Sequence, residues 1–499
     1  MKKRKLADSV LYRYRYLIAV ILIALLGIFL TTYRFWSEPA GLSSAEINSM
    51  TTSGWLSISD TIRHPATNAN YLVNLPWHFL QSISIHFLGM TNLAGRLPAV
   101  LLTLVSMVLL VILLWNFSSP AMAMIGGLLV SCAAGSISLS RSGVPMVMTI
   151  FLIVLTIFAG YFLLRAQKRL SWAIVFTISV AMLCYMKGGL YVVAAMVVAC
   201  LLNNDIRYEL RDKSNSQLMI TGGCIIGLLL LPLIIVSVMQ IGGYVVLGDL
   251  LALGYFKASN IIDIFRNLVL GPSGLESGIV VPVTTVVGLA IAIFGYVYLL
   301  LTARGSVRFN VISALLIVTV LASLFNTEMI WLVYVPLTLC QTFCFKHLAD
   351  LWYGMFPNNP YARIFALIPL TALIGSLCIL GITIYTRTIN YTDVAYDYNE
   401  SLTALNSILK NNKEATAVVA PTDQAEFYSL TARQYDQAIV YAADNSLAMH
   451  DYEDGKVNRV IIIGNKNTID PPKDAKLCAV RTTWTKKHSV LARQYCRKD

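Results

Sequence analysis

Charged residues are scarce in this sequence. Asp, Glu, Lys and Arg make up only 13% of the 499 residues, whereas 57% are hydrophobic. So few charges cannot cover so much apolar surface in water, which excludes a soluble globular protein. The apolar residues occur in long blocks, each close to the roughly 20 residues that cross a bilayer as a helix. We therefore predict a multi-span α-helical membrane protein.

Common short motifs of nucleotide and metal sites are also missing. The sequence contains no GxGxxG, no P-loop and no CxxC pair, so neither a bound nucleotide nor a cysteine metal site is indicated. Seven of the nine cysteines lie in apolar blocks, where Cys is usually a small hydrophobic residue. Cys478 and Cys496 lie near the polar C-terminus and can pair as a disulfide if that region is outside the cell.

Basic residues exceed acidic ones and give a formal net charge of +12. They are dispersed over the N-terminal MKKRK and short loops such as 165–170, 207–213 and 302–308. Cytoplasmic loops of membrane proteins are rich in Lys and Arg, so this pattern indicates topology rather than nucleic-acid binding. The first apolar run lacks a small-residue cleavage site, and many apolar runs follow. We interpret it as an uncleaved first span with its N-terminus inside.

Eleven candidate spans follow from the apolar blocks. They are residues 17–32, 96–115, 119–137, 145–164, 172–186, 188–202, 218–238, 280–301, 309–325, 328–345 and 364–385. An odd number of spans places the C-terminus outside, and the basic loops then fall inside. We predict a plasma-membrane protein whose N-terminus is cytoplasmic.

The predicted topology gives a polytopic domain over residues 1–385. Its first and second extracytoplasmic loops are 33–95 and 239–279. Residues 386–499 alternate short apolar strands with helices, which indicates an extracytoplasmic α/β domain with a mainly parallel sheet. Within the first loop, LPWHFLQSISIHFLG (75–89) reads as an amphipathic interfacial helix, and its Trp77 and His78 suit the edge of an interfacial cavity.

Three segments resemble one family in sequence and order. They are LVNLPWHFLQSISIHFLGMTNLAGRLPAVLLTL (72–104), SRSGVPMVMTIFLIVLTIFAGYFLLRA (140–166) and AMLCYMKGGLYVVAAMVVACLL (181–202). They are similar to the GT-C membrane glycosyltransferases of the protein O-mannosyltransferase and aminoarabinose transferase group. The resemblance implies a GT-C-like fold, a polyprenyl-phosphate-linked sugar donor, contact with membrane lipids, and an extracytoplasmic acceptor that the sequence does not identify.

The resemblance also implies site residues. Glu46 matches the second residue of an acidic pair after the first span and becomes the candidate base, whereas Ala45 stands where the family has its first acid. Met146 stands at another family acid position. Arg141 and Lys187 lie at outside ends of spans and are candidates to hold the donor phosphate.

Asp60, His64 and His78 are candidate replacements for the missing acids. For each candidate a simpler interpretation stays open. Glu46 can be a solvated helix residue, and Arg141 and Lys187 can be membrane-interface anchors. The family's possible divalent cation is weakly supported, because the acids that would bind it are absent and no ligand spacing is present.

Three functions are therefore compared. The first is a glycosyltransferase that uses a polyprenyl-phosphate sugar. The second is an inactive protein of the same fold that binds a lipid-linked glycan or acts as an envelope scaffold. The third, a lipid or glycan transporter, ranks last because the spans contain almost no ionisable residue and no clear repeat.

Overall fold

The structure is a computed structural model. It describes residues 14–56, 69–165, 169–211, 216–239, 244–252, 254–272, 278–355, 360–392, 398–411, 414–435, 438–442, 447–463, 475–482 and 490–497.

Long helices dominate the first four-fifths of the chain. They are α1 (Arg15–Thr32), α2 (Ser44–Gly54), α3 (Leu75–Leu88), α4 (Asn92–Phe117), α5 (Pro120–Cys132), α6 (Ala134–Ser140), α7 (Met146–Arg165), α8 (Arg169–Cys184), α9 (Gly189–Leu202), α10 (Asn204–Arg211), α11 (Ser216–Met239), α12 (Tyr244–Leu250), α13 (Ser259–Val269), α14 (Val286–Thr302), α15 (Val307–Phe325), α16 (Tyr334–Met355) and α17 (Pro360–Tyr391). Short 3₁₀ helices lie at Ala69–Leu72 and Thr327–Val333.

Helix occurs in every one of the eleven predicted spans. By length and composition, 5 helices of the described chain can cross a membrane, or 6 if the pair α5–α6, bent by 60°, is one span. Five shorter apolar helices add to these: Tyr16–Thr32, Leu170–Cys184, Gly189–Leu202, Ile220–Val236 and Val286–Thr302. The protein is thus an integral membrane protein, and the count of eleven spans stays a prediction.

The C-terminal part forms one five-stranded sheet. Its strands are β1 (Thr416–Ala420), β2 (Ala438–Ala442), β3 (Arg459–Ile463), β4 (Ala475–Thr482) and β5 (Val490–Arg497), in the order β2-β1-β3-β5-β4. Helices α18 (Ser401–Lys410), α19 (Ala425–Ala432) and α20 (Leu447–Glu453) accompany the sheet.

The expectation of a mainly parallel sheet is only half right. β1 pairs in parallel with β2 and β3, as strands separated by helices do. β5 runs antiparallel to both β3 and β4. Strand β5 was not predicted from the sequence. It lies between β3 and β4 and is antiparallel to both, so this side of the sheet needs no crossover helices. Cys478 on β4 and Cys496 on β5 form a disulfide, with 5.9 Å between their Cα atoms.

The C-terminal sheet and its helices share an apolar core with the segment that follows α1. Ile47 and Met50 of α2 pack in one cluster with Leu405 of α18 and Phe427 of α19. The division of the chain at residue 385 remains a prediction, because α17 continues to Tyr391. This shared core holds the face of α2 that carries Ile47 and Met50 in place.

Candidate functional site

A cavity of about 330 Å³ lies where α2, α3, the start of α7 and the 3₁₀ helix Thr327–Val333 meet. Its polar lining residues are Asn48, Ser49, Thr52, Asn74, His78, Thr149, Lys187 and Glu328, and its apolar ones are Ala45, Val144, Pro145, Met146, Ile279, Met329 and Trp331. All of them come from segments that the sequence assigned to the outside or from the outside ends of spans. The fold therefore gathers these distant ends at one place.

Helix α2 presents three faces, as the spacing of its residues requires. Ala45 and Asn48 line the cavity. Ile47 and Met50 enter the core shared with the C-terminal domain. Glu46 lies between these faces and is only 1% exposed. Glu46 therefore points away from the cavity, and its neighbour Ala45 lines the cavity.

Glu46 is fully occupied by hydrogen bonds. Its Oε1 accepts from Arg96 Nε at 2.9 Å and from the Gly143 backbone N–H at 2.9 Å. Its Oε2 accepts from the Ser43 backbone N–H at 2.9 Å and from an Arg96 guanidinium N–H at 3.2 Å. With Ser43 it also forms the capping box that begins α2. A carboxylate has about four lone-pair sites, so none remains for a substrate proton.

Arg96 completes this buried arrangement. The side chain is 0% exposed. Besides the two bonds to Glu46, it donates to the backbone carbonyls of Pro39 at 2.9 Å and Gly41. One ion pair thus connects α4, the start of α2 and the loop before it. In the sequence, Arg96 lies within the family-like segment 72–104, and no role was predicted for it.

Arg141 does not line the cavity. Its side chain is buried between α1 and α17, where it donates to the Leu30 carbonyl at 2.7 Å and lies 5.0 Å from the centre of the Tyr385 ring. Glu38 is 3.6 Å from it. These contacts join helices that are distant in sequence, and the predicted phosphate contact of Arg141 stays a prediction.

Lys187 does line the cavity, and its contact with a donor phosphate stays a prediction. It occupies the tight turn between α8 and α9, where Gly188 adopts a φ of +77° that favours glycine. Asn74 accepts from the Lys187 backbone N–H at 2.9 Å and holds this turn against the start of α3. The Lys187 ammonium is 2.9 Å from the Glu328 carboxylate, with side-chain exposures of 40% and 35%.

Glu328 was not among the predicted site residues. A signal for it was available, because it is an acid at the first position of the span predicted over 328–345. Asn326 accepts a hydrogen bond from its backbone N–H at 3.0 Å, which caps the 3₁₀ helix and places the carboxylate at the cavity. The ion pair with Lys187 joins positions 141 residues apart in sequence.

A polar network lies behind the cavity. Trp77, predicted to line an interfacial cavity, is instead fully buried, and its indole N–H donates to the Ser49 hydroxyl at 2.8 Å. Ser49 in turn donates to Gln81 Oε1 at 2.8 Å. Gln81 Nε2 donates to the carbonyls of Gly95 at 3.0 Å and Gly143 at 3.3 Å. Two carbonyl partners fix which end of the Gln81 amide is nitrogen.

His78 joins this network and also lines the cavity, as predicted. The ring is 5% exposed, and its Nδ1 lies 2.9 Å from the Ser53 hydroxyl. Burial lowers the pKa of His78 from 6.5 to about 4, because a charged imidazolium loses its hydration. The imidazole is therefore neutral at pH 7.

This shift makes the stability depend on pH. The unfolded chain binds the His78 proton below about pH 6.5, whereas the folded protein resists it until about pH 4, so stability falls as pH falls through that window. Between pH 7.5 and 5 the loss should be about 2 kcal/mol. Thermal unfolding in detergent measures it. His78→Asn should lose less stability than the wild type over this range, and equal losses would contradict the shift.

Two candidate residues and the possible metal ion remain to be placed. Asp60 and His64 lie outside the described residues. Within the described ranges, no group of three or more His, Cys, Asp or Glu side chains is arranged to hold a metal ion. Ala45 and Met146, which stand at the family's acid positions, both line the cavity. The cavity therefore has the Lys187–Glu328 ion pair and a neutral histidine, and it has apolar side chains at the two positions where the family has acids.

The fold is similar to that of solved GT-C membrane glycosyltransferases. Among solved structures, ArnT from Cupriavidus metallidurans bound to undecaprenyl phosphate matches 97% of this chain and 98% of its own, with 10% identity and a TM-score of 0.58. The oligosaccharyltransferase of Archaeoglobus fulgidus in the apo form matches 91% of this chain and 70% of its own, with 14% identity and a TM-score of 0.53. No family model and no curated protein matches the sequence.

Proposed function

We propose that the protein is a membrane glycosyltransferase that transfers a sugar from a polyprenyl-phosphate carrier to an acceptor outside the cytoplasm. The cavity carries this proposal. It combines a cation, Lys187, with uncharged hydrogen-bonding side chains beside apolar helices. The cation suits a lipid phosphate, the hydrogen-bonding side chains suit a sugar, and the apolar helices suit a polyprenyl chain. The fold supports it, because ArnT of the same architecture is known bound to undecaprenyl phosphate.

In this proposal the cavity opens on the extracytoplasmic side of the plasma membrane. Its lining residues come from the connections that the positive-inside rule places outside. The N-terminus is then cytoplasmic, and the C-terminal domain, which packs on α2, is extracytoplasmic. A disulfide between Cys478 and Cys496 fits that compartment.

The proposed residue roles differ from those first assigned. Lys187 contacts the donor phosphate, for which Glu328 holds the ammonium in place. Glu46 is a structural residue rather than the base, because Arg96, Ser43 and Gly143 use all of its lone pairs.

Lys187→Met should weaken the binding of undecaprenyl phosphate by about 10- to 100-fold, which corresponds to the loss of one charge-assisted hydrogen bond. Microscale thermophoresis of the detergent-solubilised protein measures this affinity. The matched control is Lys410→Met, since Lys410 is an exposed lysine at the end of α18 in the C-terminal domain. Equal affinities of the wild type and Lys187→Met would remove Lys187 from the donor site.

Transfer itself is tested with a panel of radiolabelled mannosyl, glucosyl and 4-aminoarabinosyl phosphoundecaprenol added to native membranes that contain the protein. Label should move into a lipid, glycan or protein fraction. The same membranes with Lys187→Met should transfer much less. Absence of transfer from every donor in the panel would count against the glycosyltransferase assignment.

One observation favours the second candidate, an inactive binder of lipid-linked glycans. Ala45 and Met146 line the cavity, and neither a methyl group nor a thioether can accept a proton or bind a metal ion. Binding of undecaprenyl phosphate that depends on Lys187, without any transfer in native membranes, is the result expected of such a protein.

A further inference from the structure

A base for the proposed transfer has to come from a side chain that reaches the cavity. Glu46 does not reach it. Glu328 does, but its carboxylate is already paired with the Lys187 ammonium 2.9 Å away. Asp249 borders an adjoining cavity of about 220 Å³ instead. His78 lines both cavities.

The network determines which nitrogen of His78 carries the proton. The Ser53 hydroxyl lies 2.8 Å from the Ser49 carbonyl and 2.7 Å from Gln81 Oε1. Both atoms only accept hydrogen bonds, and Ser53 has one proton to give. If that proton pointed to His78 Nδ1, both short oxygen–oxygen contacts would have no proton between them, whereas a proton given to either acceptor leaves only one such contact. The Ser53 proton therefore stays with the carbonyls, and His78 Nδ1–H is the donor to the Ser53 oxygen.

The Gln81 amide is oriented with its oxygen towards Ser53 and its nitrogen towards two backbone carbonyls. Its Nε2 donates to two backbone carbonyls, those of Gly95 and Gly143. A flipped amide would place an oxygen against both carbonyls, so the orientation is unambiguous. Backbone groups thus fix Gln81, Gln81 fixes Ser53, and Ser53 fixes the His78 tautomer. An Nδ1–H imidazole has its lone pair on Nε2.

We propose that His78 is the general base of the transfer and that it acts through Nε2 on the acceptor hydroxyl. This inference rests on the proposed glycosyltransferase function. The acceptor proton passes to Nε2 as the acceptor oxygen forms a bond to the anomeric carbon of the sugar. The bond from that carbon to the phosphate oxygen breaks, and its electron pair stays on the polyprenyl phosphate, which Lys187 stabilises. The imidazolium then releases its proton to water.

The basicity of His78 fits this role. With a pKa of about 4, its conjugate acid resembles that of a carboxylic acid. A neutral imidazole of that strength is as basic as the carboxylates that Ala45 and Met146 replace. It also adds no negative charge beside the anionic donor.

The test uses His78→Asn in the full-length protein. The asparagine amide can still donate to Ser53, so the network keeps its hydrogen bond while the Nε2 lone pair is removed. We expect the transfer rate in the phosphoundecaprenol assay to fall by about 100-fold or more, with the affinity for undecaprenyl phosphate unchanged. The control is His86→Asn, because His86 is an exposed histidine on the same helix α3, and it should transfer like the wild type.

Four outcomes decide the assignment. Loss of transfer with intact lipid binding supports it. Wild-type transfer by His78→Asn overturns it while the proposed function stands, and loss of transfer in Asp249→Asn instead would move the role to Asp249. A wild type that transfers nothing overturns both proposals. ¹⁵N NMR of histidine-labelled protein checks the tautomer independently, and an Nε2–H signal for His78 would refute the argument from Ser53.

Discussion

Arg96→Ala is expected to remove most of the folded protein. The substitution leaves the Glu46 carboxylate buried without its charged partner, and it also leaves the carbonyls of Pro39 and Gly41 without their donor. Breaking a buried ion pair from one side typically costs about 3–5 kcal/mol. Because Glu46 also begins α2, the cavity wall should be lost with it. Fluorescence-detected size-exclusion chromatography and thermal unfolding in detergent measure the effect.

A matched control separates this loss from a general effect of removing arginine. Arg387 near the end of α17 is exposed, so Arg387→Ala should change stability by about 0.5 kcal/mol or less. Glu46→Gln should also destabilise the protein, because a neutral amide leaves the Arg96 charge unpaired. Stable Glu46→Gln protein that has lost only transfer would instead return Glu46 to the role of base.

Gly295→Ala is the second change with a large expected effect. Gly295 lies where α14 crosses α16, and a methyl group there would be 1.8 Å from the Cys340 carbonyl oxygen. The obstacle is backbone, so neither helix can yield without moving apart, and we expect a loss of about 3 kcal/mol in the free energy of unfolding. The thermal midpoint in detergent reports this loss.

Gly375 provides the comparison within another apolar helix. A Cβ there would meet nothing within 4 Å, and alanine is a better helix former than glycine. Gly375→Ala should therefore leave the stability unchanged or raise it by up to about 1 kcal/mol. Similar midpoints for Gly295→Ala and Gly375→Ala would show that α14 and α16 do not pack as closely as described.

Features that depend on local sequence were predicted correctly, whereas features that depend on contacts between distant residues were missed. Apolar blocks predicted a helix in each of eleven places because span length and hydropathy are local properties. The strand β5 was missed because its sequence, VLARQYCR, alternates poorly and forms a strand through pairing with β3 and β4. Strand formation at such a segment depends on its neighbours in the sheet more than on its own residues.

The residues of the candidate site also differ in whether local sequence or distant contacts determine their position. Lys187, which lines the cavity, was a candidate from the sequence because a cation at the predicted outside end of a span is unusual and locally visible. Glu46 was predicted as the candidate base, and its buried contact with Arg96 was not predicted, because that partner is 50 residues away. Nothing in LSSAEINSM (42–50) shows that Ala45 faces the cavity and Glu46 faces Arg96. That orientation follows from how α2 packs between α4 and the C-terminal domain.

The sequence by itself determined that lipid surrounds this protein, where its helices lie and which topology to predict, because each depends on composition and local pattern. The type of fold was implied by the family resemblance. Only the tertiary structure decided which polar side chains share a cavity and which are buried as structural partners. Hydrogen bonding and burial depend on atoms brought together from distant segments. For that reason we propose Glu46 as a structural residue and His78, oriented by Ser53 and Gln81, as the base.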